Sequence, residues 1–170
     1  MNTTILEAVN RQVQLEFEAA FLYLSMSAAL SEHGMSGAGR WMRAQYHEEC
    51  GHALKLVSYL ERRRAPVRLT SLHCPPCEWE SPLVLFQRAL EHERLITQEI
   101  HELVTLCRQE RDYATQCLLF EYVREQVEEE YAVEEIVDAL TLCGDSAEAL
   151  MRLDAHLGMR SCREETGMAS

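Results

Sequence analysis

"YHEECGHALKLVSYL", residues Tyr46–Leu60, carries apolar side chains at Tyr46, Ala53, Leu56 and Leu60, spaced by seven, three and four. That is the period of one face of an α-helix. The position that completes the row is Glu49, three past Tyr46, and His52 stands three residues further on. An acid thus occupies a place in an apolar seam. Burying an unpaired carboxylate costs several kcal/mol, so a buried Glu49 needs a positive partner beside it.

The same 3-4 alternation runs along three further stretches. It picks out Val9, Val13, Glu16, Ala20, Tyr23, Ser27 and Leu30, then Leu83, Phe86, Leu90, Glu93, Thr97, Ile100, Val104 and Cys107. A last row holds Leu119, Tyr122, Gln126, Glu129, Val133, Ile136 and Leu140. Each row carries an acid near its middle. Carboxylates gathered at one height repel one another and cannot all ionise without a cation among them.

Chain punctuation divides these rows into long helices. "TILE" at Thr4–Glu7 has capping-box spacing and opens a helix expected to reach Glu32, before "HGMSG" interrupts. A second helix is expected from Ser36 to Arg63. "RAPVRLTSLHCPPCEWES", residues 64–81, holds three of the four prolines and reads as an extended connection. Ser81 and Pro82 form an N-cap and N1 pair for a third helix to Gln109. "ERDY" is a short turn before a fourth helix, which Gly144 ends after Cys143. Asp145 or Ser146 caps a short fifth helix, "AEALMRLDAHL". Short, long and short connections make two antiparallel hairpins joined by one crossover. The expected fold is all-α: a four-helix bundle plus a short fifth helix over residues 1–158, with 159–170 a flexible tail.

The chain has 170 residues, 47% of them hydrophobic and 26% charged, which suits one globular domain. No run of about 18 apolar residues occurs. The opening "MNTTILEAVN" lacks the basic and apolar regions of a signal peptide, so a cytoplasmic location is expected. Seven scattered cysteines fit reduced thiols better than a disulfide framework. A net charge of −12 disfavours nucleic acid and membranes as partners and favours cations.

A repeat sharpens the cation reading. From Glu16 to Glu49 is 33 residues, and so is Glu93 to Gln126. Each hairpin therefore offers one acid from its first helix and an i, i+3 pair from its second, Glu49/His52 or Gln126/Glu129. Carboxylates with one imidazole suit iron or manganese, and the lack of cysteine argues against structural zinc. Glu49 would bridge two metals.

With these residues in place, "NRQVQLEFEAAFLYLSMS" (10–27), "HEECGHALKL" (47–56), "LITQEIHEL" (95–103) and "EYVREQVEEE" (121–130) resemble the four helices of the ferritins in order. The likeness covers residues 4–157. It implies a non-haem ferritin of bacterial or heavy-chain-like type, a homo-oligomeric shell of 24 subunits that oxidises Fe(II) with O2 or peroxide and stores ferric mineral. By position it implies a first iron site of Glu16, Glu49 and His52. The second is Glu49, Glu93 and Glu129, with Gln126 close by and Tyr23 beside the diiron centre. A third, inner iron site of bacterial members matches Glu48, Glu125, Glu128 and Glu129. Haem is not expected, because bacterioferritins carry a second Glu-x-x-His where this chain has Gln126-Val127-Glu128-Glu129. Gln116 and Leu119 stand where animal heavy chains line a channel with acids.

Several residues carry plainer expectations. "HCPPC", His73–Cys77, departs from the family pattern, as either a metal or redox pair or an inert loop. His33, His47, His92, His101 and His156 are expected at the surface, and Cys50, Cys107, Cys117 and Cys143 as small apolar packers. Two other functions remain open: a diiron bundle enzyme without a cage, and a shell subunit without catalysis. The fifth helix disfavours the former and the complete acid set the latter.

Overall fold

A computed structural model describes residues 1–76 and 78–167, with side chains as far as Met159. Cys77, one half of the C-x-x-C pair, and residues 168–170 lie outside the described residues. Five helices follow one another: α1 (Thr3–Glu32), α2 (Ser36–Arg62), α3 (Pro82–Gln109), α4 (Tyr113–Cys143) and α5 (Ala147–Gly167). No strand occurs among the described residues. No described helix is long and apolar enough to cross a membrane.

Side-chain caps open three of the helices. Ser81 Oγ accepts from Val84 N at 3.2 Å with Pro82 in the first turn, as the sequence predicts. At α1 the capping-box reading is corrected: Asn2, in extended conformation, accepts from Ile5 N at 2.9 Å and starts the helix before Thr4. Asp112 caps α4 through Thr115 N, and Gly144 leaves it at φ 50°, a left-handed conformation that glycine tolerates.

The end of α5 also differs from expectation. The periodic stretch "AEALMRLDAHL" ends at Leu157, yet the helix continues to Gly167. Gly158 serves a close approach: a Cβ there would meet Arg40 Nη2 at 2.4 Å and Gly37 Cα at 3.1 Å. On the facing helix a Cβ at Gly37 would strike the Asp154 carbonyl oxygen at 1.9 Å. The two glycines therefore let α5 lie directly on α2. That contact supplies something α2 lacks, because its N-cap Met35 makes no side-chain bond and Asp154 Oδ1 accepts from Ala38 N at 2.8 Å.

The crossover climbs the length of α1 as an extended strap. Asn10 donates to Pro66 O and accepts from Arg68 N, Gln14 meets Thr70 and Ser71, Glu18 accepts from His73 N, and Ser25 donates to Pro76 O. Those bonds satisfy a backbone that has no partner strand. They also carry the chain to the opposite end of the bundle, so α3 runs antiparallel to α1.

The core falls into two hydrophobic clusters. One gathers Tyr23, Met26, Leu30, Trp41, Met42, Phe86, Val133, Ile136 and Leu140. The other gathers Ile5, Val9, Val13, Leu56, Leu60, Ile100, Leu119 and Tyr122. Leu119 is fully buried there, which removes it from any channel lining. A layer of buried polar side chains lies between the clusters: Glu16, Glu49, His52, Glu93, Gln126 and Glu129. Each buried Leu or Ile contributes roughly 1.5–3 kcal/mol, so the apolar clusters offset the cost of that layer.

Candidate metal centre

Every residue of the polar layer comes from the middle of a helix and faces inward because its seam neighbours are apolar. Glu16 is 1% exposed, Glu93 1%, Glu49 2%, Gln126 3%, His52 8% and Glu129 9%. Glu16, Glu49 and His52 bring possible ligand atoms within 4.8 Å of one another, the one such group among the described residues. His52 Nδ1 lies 3.3 Å from Glu49 Oε2. Glu16 Oε2 is buried and meets no N–H donor, and Glu16 and Glu49 can bond each other only by sharing a carboxyl proton, an arrangement that fits a site built for a cation.

Glu93 and Glu129 stand outside that tight group. Glu93 accepts from the Tyr23 hydroxyl at Oε1 and from Gln126 Nε2 at Oε2, the latter at 3.0 Å. Glu129 Oε2 accepts from Gln45 Nε2 at 2.7 Å. Tyr23 and Gln126 thus both bond the acid of the third helix.

Crowding of acids away from water shows in their proton affinities. Burial raises Glu16 well above the usual carboxylate range, and nearby Glu49 raises it further. Glu49 is raised by burial first, then by Glu93, with Glu129 and Glu48 adding to it. Burial also raises Glu93, against the hydrogen bonds from Tyr23 and Gln126. Glu129 is pushed up to about 8 by burial, then by Glu48 and Glu93. Among the described residues no lysine or arginine pairs with any of the four. His52 is the one basic side chain beside these acids among the described residues.

The repeat seen in the sequence is structural. An offset of 77 residues carries Glu16 to Glu93, Glu49 to Gln126 and His52 to Glu129. It also carries Gln45 to Tyr122. Gln45 reaches from α2 to the Glu129 side chain, and Tyr122 reaches back from α4 to the His52 carbonyl at 2.9 Å. These are the two mates of one cross-bundle contact. Sequence reasoning missed Gln45 and also Gln12, whose Nε2 donates to Glu16 Oε1 at 2.9 Å. Their signal is faint, since glutamine is an ordinary helix former.

The inner acids are less enclosed. Glu48 and Glu128 are exposed, and Glu125 is half-buried with Oε2 3.6 Å from His52 Nε2. Glu125 reaches the buried centre through that buried oxygen, while Glu48 and Glu128 stay outside it.

Other expectations divide. His33, His47, His101 and His156 are exposed. His92 is not: it is half-buried, its Nε2 is buried without a partner, and desolvation lowers its pKa. It sits on α3 under the strap, where Pro76 and Trp79 line the same small cavity. Cys107 is a buried packer whose thiol burial pushes up to about 11, whereas Cys117 is exposed. His73 pairs with Glu18 at 2.8 Å, and Cys74 is exposed and free.

Comparison with known proteins agrees with this geometry. The family model for ferritin-like domains matches residues 6–143. A bacterial non-heme ferritin of Bacteroides fragilis is 37% identical over 90% of this chain and 95% of its own length. One of Escherichia coli is 38% identical over 90% and 93%. A solved structure described as an open-pore ferritin from the hyperthermophilic archaeon Archaeoglobus fulgidus superposes with a TM-score of 0.92 at 42% identity, covering 93% of this chain and 98% of the other.

Proposed function

The chain belongs to the ferritin family, and on that premise we propose that it is an iron-storage ferroxidase. It oxidises Fe(II) with O2 or peroxide at the buried centre and keeps the ferric product inside a shell of 24 copies. Residues 1–158 are the domain that does this, and the free thiols suit a reducing cytoplasm.

One observation carries the reading. Four buried carboxylates share the core with no lysine or arginine partner among the described residues, and two divalent cations would neutralise them. Glu16, Glu49 and His52 hold the first Fe(II), while Glu49, Glu93 and Glu129 hold the second, with Gln126 beside it. Glu49 bridges. His52 gives a ring-nitrogen lone pair to the metal, and the acids that hold protons in the iron-free centre release them as it binds. Tyr23 orients Glu93 through its hydroxyl.

Each Fe(II) gives up one electron. O2 takes two electrons and two protons to become hydrogen peroxide, or peroxide takes the same to become two waters. Protons held by Glu129 and its neighbours before iron enters leave on binding and are available to that reduction. Glu48, Glu125 and Glu128, with Glu129 shared, hold a third iron or pass oxidised iron toward the mineral, where clustered acids gather cations.

The test is to add Fe(II) in air and run the product through size exclusion with light scattering and an iron assay. Iron travelling with a particle of 24 copies is expected. Iron eluting apart from the protein, or protein present only as monomer or dimer, would overturn the reading.

A further inference from the structure

The buried centre has two sides. On one, α2 and α4 carry the acids Glu48, Glu125 and Glu128, and Glu125 reaches His52. On the other, a groove of about 830 Å³ runs between α1 and α3. Two of its lining side chains already touch the site. Gln12, 2% exposed, donates to Glu16 Oε1 at 2.9 Å. Thr97, half-buried, accepts at 3.3 Å from Gln126 Nε2, the same amide that donates to Glu93 Oε2. One amide and one hydroxyl thus stand between the groove and the acids of the centre.

Charge in this groove is cancelled in place. Of the acids that line it, Glu99 pairs with Arg11 at 2.7 Å and Glu102 accepts from Gln98 Nε2 at 2.9 Å. Glu130 accepts from Thr97 and lies 4.0 Å from Arg94. A divalent cation on this path would give up water beside two arginines, with every lining acid already engaged. A small uncharged molecule meets neither cost, and Ala8, Leu103 and Leu106 give it an apolar stretch of wall.

We propose that the α1/α3 groove is the port by which the oxidant, dioxygen or hydrogen peroxide, reaches the buried centre, with Gln12 and Thr97 as its inner gate, while Fe(II) arrives from the acid-bearing side. This rests on the ferroxidase reading of the centre. A rotamer change at either gate residue opens the way without moving a helix. Separate sides let the oxidant meet a centre already filled with iron.

The experiment fills the groove outside the gate. Ala8 lines it one turn before Gln12 and bonds none of the acids, so Ala8→Trp narrows the path and leaves the ligand set in place. Gly51, where an added Cβ meets open space, supplies the control on α2 as Gly51→Trp. The assembled protein is loaded with Fe(II) without oxygen and mixed in stopped flow with a series of O2 or, anaerobically, H2O2 concentrations. Ala8→Trp is expected to need severalfold more oxidant for half the maximal rate, with that maximal rate and the speed of anaerobic Fe(II) uptake unchanged. Gly51→Trp is expected to keep the parent's oxidant dependence. A shift with either oxidant supports the port and identifies the molecule that uses it. A shift with neither overturns the proposal, as does a shift in Gly51→Trp alone, or anaerobic Fe(II) uptake slowed by the same factor in Ala8→Trp. Should Ala8→Trp fail to assemble, Gln98→Trp, at an exposed lining position, is held to the same outcome. If the parent itself oxidises no iron, the ferroxidase reading fails, a result distinct from failure of the port alone.

Discussion

At the residue scale the governing fact is that buried acids hold protons the unfolded chain would release. Glu129 moves from an ordinary 4.5 to about 8, and Glu16, Glu49 and Glu93 move in the same direction. Between those two values the folded apo-protein binds more protons than the unfolded chain, so stability conferred below the lower value is lost as pH rises through the upper one. Calorimetry of the iron-free protein should show the melting temperature falling between pH 6 and pH 8. Anaerobic Fe(II) should reduce the fall, since the metal replaces the protons. A melting temperature that climbs across this window without iron would contradict the burial of these acids. Glu16, Glu49, Glu93 and Glu129 were legible in sequence because an acid interrupting an apolar row is conspicuous. Gln12 and Gln45 were not, because an amide in a helix has many uses and only the fold shows which oxygen it meets. His92 was misjudged for a related reason: the strap that covers it comes from a segment without periodicity.

Element by element, local sequence rules served well where one residue sets a boundary and poorly where a distant partner does. Ser81-Pro82 and Gly144 act through the backbone next to them, and the structure keeps both. The sequence pattern ends the fifth helix at Leu157, yet the helix runs on past Gly158, whose fit depends on Gly37, more than a hundred residues away in the chain. That contact makes a prediction. Asp154→Ala removes the side-chain acceptor at the start of α2, a loss typically worth about 1 kcal/mol. Gly37→Ala should cost more, because its methyl group meets a backbone oxygen that cannot turn aside. Limited proteolysis should cut within α5 faster in Gly37→Ala than in Asp154→Ala, and faster in both than in the parent. Equal protection in all three would mean that α5 is not held by this contact.

On the scale of the whole molecule, two hairpins repeat one plan with a single change of chemistry. His52 in the first half is answered by Glu129 in the second, and Glu49 by Gln126, so the layer between the hydrophobic clusters is asymmetric in charge though near-symmetric in position. The first half gathers its three ligand candidates tightly, while the second holds its acids on Tyr23, Gln126 and Gln45. Fast oxidation should then depend on the tight half. The direct measurement is stopped-flow absorbance after mixing air-saturated buffer with the assembled protein carrying two Fe(II) per subunit, for the parent and for His52→Ala. The account predicts a rapid ferric phase in the parent and its loss in His52→Ala, with the particle size unchanged. Oxidation of those first irons at the parent rate in His52→Ala would contradict it.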